Sequence, residues 1–152
     1  MKLISTIVSR KTELNITENK TVILQHLNTI HNFLSKTYWC EGIPKELIQK
    51  AIENSLSFAI IKDEQLVGFA RVITDKATFA YLADVFIVDS HRGQGLSVKL
   101  MDYIQAHSDL QGLRRFMLAT RDAHGLYEKY NFTPVVDAKP FMQINVPDIY
   151  MN

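Results

Sequence analysis

The chain has little of what would stabilise a small extracellular scaffold. Its 152 residues contain one cysteine, Cys40, so no intrachain disulfide can close, and packing alone must hold the fold, as in a reducing cytoplasm. Cys40 beside Trp39 reads as a small buried hydrophobe, with a nucleophile as the alternative. Six Gly and four Pro, scattered singly, exclude collagen-like and low-complexity character. No apolar run approaches the ~18–20 residues that cross a bilayer. The N-terminal stretch Leu3 to Val8 is interrupted by Ser5 and Thr6 and lacks a small-residue cleavage site, so it reads as a strand and not a signal peptide. Charge of one sign is also missing. Seventeen Lys and Arg against sixteen Asp and Glu leave a net +1, with no bulk field to recruit nucleic acid or a membrane surface. The expectation is a cytoplasmic chain forming a single domain over residues 1–152, in which 47% hydrophobic residues suffice for a core.

What is present is ordered patterning. After the strand Leu3 to Val8, residues through Lys20 read as a polar connection. Ile23, Leu27, Ile30 and Leu34 then recur at helical spacing, and Leu47, Ile48, Ala51 and Ile52 do so again behind Pro44. Phe58 to Lys62 and Leu66 to Ile73 flank a short polar turn and predict a hairpin. Phe79 to Val88 is a third strand, apolar except for Asp84. Leu96, Leu100, Tyr103 and Ile104 predict a helix, and Phe116 to Ala119 a short buried strand. Asp122 is placed to cap a helix bearing Ala123, Leu126, Tyr127 and Tyr130, with Asn131 at its left-handed end. Val135-Val136 and Phe141 to Val146 read as closing strands. Hairpins early and β-α-β units late predict an α/β (α+β) fold, a mixed sheet with helices on both faces.

The chemistry concentrates where the third strand runs into Asp89-Ser90-His91-Arg92-Gly93-Gln94-Gly95-Leu96-Ser97 and a helix starts at once. Glycines allow close backbone approach, the unpaired N–H groups of a helix start suit a phosphate or pyrophosphate, and Arg92 adds a charged donor. An ordinary strand-to-helix turn is the alternative. The run fits neither a Walker loop nor a dinucleotide fingerprint, because no Gly-Lys-Ser/Thr follows and Val98 stands where Gly or Ala is needed. No histidine pair has metal-ligand spacing; His26 and His31 are five apart on one helix.

Arg92-Gly93-Gln94-Gly95-Leu96-Ser97 resembles the Arg/Gln-x-x-Gly-x-Gly/Ala loop of the GCN5-related N-acetyltransferase (GNAT) family. Ala123-His124-Gly125-Leu126-Tyr127-Glu128-Lys129-Tyr130-Asn131-Phe132 resembles its Ala-x-x-Leu-Tyr-x-x-x-Gly-Phe helix. Ser97 stands for the last small residue and Asn131 for the glycine.

The resemblance implies a mostly antiparallel GNAT sheet and transfer of an acetyl group from acetyl-CoA to a primary amine, which is either a small amine or a protein amine. A non-catalytic acyl-CoA-binding module is the rival reading, and a homodimer is an open expectation. It further implies that Arg92, Gly93, Gln94, Gly95, Leu96 and Ser97 hold the pyrophosphate. Backbone groups of Val85, Phe86 and Val88 would pair with the pantetheine arm, Thr120 and Asp122 would make secondary cofactor contacts, and Tyr127 would protonate the leaving thiolate. Asp84 is the leading general base, ahead of His124 and Asp75. Tyr38, Trp39 and Arg71 are candidates for the acceptor site, by cation–π and ionic contact. Each has a structural alternative: packing for Tyr127 and Trp39, an ion pair for Arg71, capping or turn roles for Thr120 and Asp122.

Overall fold

The computed structural model describes residues 13–151. The strand expected over Leu3 to Val8 lies outside them. A five-stranded sheet runs in the order β1 (Leu14–Thr17), β2 (Leu56–Lys62), β3 (Gln65–Thr74), β4 (Phe79–Ile87), β5 (Arg115–Leu118). The first three pairings are antiparallel and β4–β5 is parallel, so the mixed, mostly antiparallel sheet is as expected. Asp63 and Glu64, both at positive φ, make the tight β2–β3 turn, the two-residue geometry whose twist matches a hairpin.

Helices cover both faces. Three of them, α1 (Lys20–Leu24), α2 (Leu27–Leu34) and α3 (Lys45–Glu53), bury Ile23, Ile30, Leu34, Ile48 and Ile52 against Ala59, Phe69 and Phe86. On the other face α4 (Leu96–Gln105) and α5 (His124–Glu128) pack Leu100, Met101, Ile104 and Tyr127 on Phe58, Val72 and Leu82. The Tyr130 hydroxyl donates to Asp102 Oδ1 (2.8 Å) and Val98 O (3.0 Å), fixing the end of α5 on α4. Partial burial and the Asp102 carboxylate push its pKa up to about 12.

Three sequence expectations need correction. The single periodic helix from Thr21 to Leu34 is two helices, broken around Gln25 and His26. β1 lies inside the stretch read as a polar connection. The closing strands do not form: Val135-Val136 and Phe141 to Val146 pair with nothing among the described residues, and their side chains are exposed. Their alternating pattern was real, but a strand exists only against a partner.

Candidate active site

The site begins with a break in β4. Phe69 pairs with Phe86 and Arg71 with Ala83, so Asp84 and Val85 together face Ala70. Asp84 takes φ +56° at this bulge, a left-handed conformation to which Asp is one of the better-suited side chains. β4 and β5 are in register only from Phe79–Arg115 to Leu82–Leu118; beyond them the strands part. The bulge therefore opens the cleft and puts a carboxylate at its apex.

One arm of the opening is a groove of about 350 Å³ running to the start of α4. A 3-10 turn over Asp89–His91 leads into Gly93 and Gly95, each at φ +73°. Gly95 is the N-cap of α4 and supplies no side-chain cap, so the first-turn N–H groups are left for a ligand. A Cβ at either glycine would meet nothing within 4 Å; the left-handed backbone, not crowding, demands glycine there. Arg92, Gly93, Gly95, Leu96 and Ser97 line the groove. Leu96 is buried and offers only its backbone. Gln94 is not in the lining and faces Lys62 Nζ at 3.5 Å. The exposed Arg92 pairs with Asp89 (2.9 Å), while its Nε donates to Ile87 O (3.3 Å).

The backbone parity of β4 differs from expectation. Val88 N–H donates to Val67 O at 2.9 Å, so Val88 faces β3, and by the alternation of an antiparallel ladder Phe86 does too. The open edge belongs to Ile87, which the sequence did not single out, and to Val85 at the bulge.

The other arm is a cleft of about 650 Å³ walled by Tyr38, Trp39, Arg71, Asp84 and Leu118. Here the candidate acceptor residues meet the candidate base. Arg71 Nε donates to Asp84 Oδ2 at 2.7 Å and its Nη1 to Ser55 Oγ at 3.2 Å; Trp39 Nε1 donates to Asp84 Oδ1 at 3.1 Å. The pair is nearly out of solvent, with side chains 16% and 9% exposed. Tyr38 stands edge-on to Trp39 and takes the Arg121 guanidinium 3.7 Å above its ring. Arg121, which no sequence motif marks, thus ties the loop after β5 to the aromatic loop after α2. Cys40 Sγ lies 3.8 Å from Asp84 Oδ1. Burial, then the Asp84 charge, push its thiol up to about 12, which fits a packing role and not a nucleophile.

Tyr127 lies where the two arms join and lines both. Its position follows from how α5 ends. Asn131 is left-handed at φ +67°, as expected. Asn131 N–H donates to Glu128 O and Phe132 N–H to Tyr127 O, the Schellman pattern, and Phe132 packs its ring 6.0 Å from that of Tyr127. Burial raises the Tyr127 pKa above the ordinary phenol value.

Thr120 and Asp122 line the cleft. Asp122 does not cap α5; Thr120 Oγ1 accepts the Ala123 N–H at 3.0 Å instead, because the N-cap is one residue later than the sequence pattern placed it. His124 is exposed in the first turn of α5 and outside the cleft lining. Asp75 closes the β3–β4 turn, accepting from the N–H groups of Ala77, Thr78 and Phe79 and from the Thr78 hydroxyl. These bonds hold its carboxyl well below the usual range, and it too is away from the cleft. Among the described residues no group of three His, Cys, Asp or Glu is placed to hold a metal, and no helix is long and apolar enough to cross a membrane.

Comparison with known proteins agrees with this architecture. Residues 27–132 match the model of the acetyltransferase (GNAT) family. A Xanthomonas campestris pv. campestris structure assigned to the GNAT family is 48% identical, with a TM-score of 0.88 over 92% of this chain and 98% of that one. A Gibberella zeae protein classed as a candidate acetyltransferase is 30% identical over 113 residues. That match takes in 60% of this chain and 63% of the relative, so the chain spans less than two thirds of its length. At 13% identity, a Clostridium acetobutylicum structure solved with acetyl-CoA shares the fold (TM-score 0.61, covering 89% of this chain and 96% of that one). With its bulged β4, glycine loop and splayed sheet, the chain belongs to the acetyltransferase (GNAT) family.

Proposed function

We propose that the chain is a cytoplasmic, single-domain N-acetyltransferase that passes the acetyl group of acetyl-CoA directly to a primary amine. The observation that carries this reading is the position of Tyr127, which lines both the groove leading to the α4 start and the cleft holding Asp84. One side chain can then reach a thioester and its acceptor together.

Acetyl-CoA, when bound, supplies an acyl carbon activated toward amines. The first-turn N–H groups of α4 and Arg92 would hold its pyrophosphate. Open-edge groups of Val85 and Ile87 would pair with the pantetheine arm as an added strand does. The Val85 N–H at the bulge would face the acetyl oxygen and stabilise charge developing there. A primary amine is mostly protonated at neutral pH and must lose a proton before it attacks. Asp84, whose Oδ2 keeps a second lone pair beyond its bond to Arg71 while Oδ1 accepts from Trp39 and Cys40, takes that proton directly or through water. As the new C–N bond forms and the C–S bond breaks, Tyr127 donates to the departing sulfur. Its raised pKa keeps it protonated for this step. Trp39 and Tyr38 would bracket the incoming amine.

The test is thiol release from acetyl-CoA across a panel of small amines and amine-bearing peptides, with the acetylated product identified by mass. Amine-dependent release supports the reading. Tight CoA binding without release to any amine supports the non-catalytic module instead.

A further inference from the structure

The cleft around Asp84 combines open apolar surface with charge that is already spent. Across β3 and β4, Arg71 pairs with Ala83 and Ile73 with Tyr81, so by strand alternation these four residues share one face of the sheet. Phe69 precedes them on that face and is buried with the side chains of α1, α2 and α3. The helical cover ends before Ile73, which is 45% exposed. Tyr38 and Trp39 stand at the same cleft, 55% and 43% exposed. Large apolar side chains left open in a concave wall mark a binding surface. At about 650 Å³ the cleft is the size of a small-molecule site.

The polar groups of the wall restrict what an acceptor can carry beside its amine. Arg71 is engaged by Asp84 Oδ2 at 2.7 Å and by Ser55 Oγ at 3.2 Å, so its charge is cancelled at contact distance. The neighbouring Arg121 lies 3.7 Å over the Tyr38 ring and is not part of the wall. Asp122 adds a second carboxylate to the lining. Among the described residues the wall therefore carries one more carboxylate than cation. An acceptor carboxylate or phosphate would lose hydration against apolar side chains and face two like charges, with Arg71 already paired. An ammonium group on an apolar body meets the opposite situation.

We propose that the acceptor is a small arylalkylamine, a primary amine on an uncharged apolar body with no carboxylate or phosphate beside the nitrogen. Its amine lies at Asp84 and its body rests on Ile73 and Tyr81, beside Trp39. Free amino acids and phosphorylated amines are rejected. The inference rests on the proposed acetyl transfer and names the substrate class of that same site.

Thiol release from acetyl-CoA is compared for phenylethylamine, phenylalanine, ethylamine and a lysine-bearing peptide. The first two share a skeleton and differ by one carboxylate. The phenylalanine amine is the less basic, so ionisation alone would rank it first. The expected kcat/KM for phenylethylamine is at least tenfold above each of the others. Ile73→Ser should lower it severalfold while leaving ethylamine unchanged, and Ile73→Lys should narrow the gap to phenylalanine. Ile73 is half-exposed, and circular dichroism checks the fold of both variants. Phenylalanine, ethylamine or the peptide used as well as phenylethylamine overturns the proposal. Ratios unchanged in both variants overturn the Ile73 face as the seat of the body. Trp39, the sole tryptophan, lines the cleft and reports binding without turnover. If no amine is acetylated, the reaction reading fails by itself: preferential quenching of Trp39 emission by phenylethylamine over phenylalanine sustains the specificity, and equal or absent quenching overturns it.

Discussion

Arg71 Nε donates to Asp84 Oδ2 across 2.7 Å, tying β3 to the bulged residue at which β4 leaves β5. One carboxylate thus has three tasks: it occupies the left-handed turn, neutralises a nearly buried guanidinium, and faces the cleft in which an amine would be deprotonated. Asp84→Ala should be the more damaging replacement, because it strands Arg71 in a low-dielectric site and puts alanine at φ +56°. Breaking such a pair costs about 3 kcal/mol. Asp84→Asn keeps the left-handed preference and one acceptor oxygen, so it should lose less stability. Its turnover should still fall by at least an order of magnitude if Asp84 accepts the proton. Denaturant melts and steady-state rates on the two variants separate the structural task from the chemical one.

The Cys40 thiol should be inert. With its pKa raised from 9.0 to about 12, the thiolate fraction at pH 8 is about a thousandfold below that of a free cysteine. Alkylation in the native state should be slower than in denaturant by at least two orders of magnitude, as read by mass spectrometry. Because the folded state favours the neutral thiol, its contribution to stability is full below about pH 9 and lost as pH rises toward 12. Cys40→Ala should flatten that alkaline decline.

Arg92 is exposed, and its pair with Asp89 is an exposed one, which contributes little to folding. Arg92→Ala should leave the melting temperature unchanged. It should weaken CoA about tenfold by calorimetry, the size of one charge-assisted contact to phosphate. Unchanged affinity removes Arg92 from the pyrophosphate site.

Asn131 holds the left-handed end of α5 and with it the Phe132–Tyr127 contact. Asn131→Gly should be neutral or slightly stabilising. Asn131→Ala should cost about 1 kcal/mol, seen as a lower melting temperature.

Sequence and structure agree best where one residue type answers a local backbone demand. Gly93, Gly95 and Asn131 are legible because their positive φ excludes most side chains, and the β2–β3 turn because Asp63-Glu64-Gln65 is a short polar break between two apolar runs. β1 is hidden because four residues at a sheet edge carry too little periodicity to stand out from a polar stretch. Val135-Val136 and Phe141 to Val146 show the converse: alternation promises a strand, but pairing depends on a partner that a lone chain does not provide. Asp84 is visible as an acid in an apolar run, whereas the bulge it makes is not. That the Val88 N–H faces β3 is hidden for the same reason, since which backbone groups face the open edge depends on ladder register, and a shift of one residue inverts it. Arg121 acts through a contact with Tyr38, 83 positions away in the chain, and no local pattern announces it.

The central claim is that Tyr127 serves a reaction joining the two arms of the cleft. The direct measurement compares wild type and Tyr127→Phe for thiol release from acetyl-CoA with a verified amine, alongside calorimetric affinity for CoA. Phenylalanine keeps the ring that packs on Phe132 and removes only the proton donor. The account predicts turnover reduced at least tenfold with CoA affinity within about twofold of wild type. Undiminished turnover with intact CoA binding would contradict it.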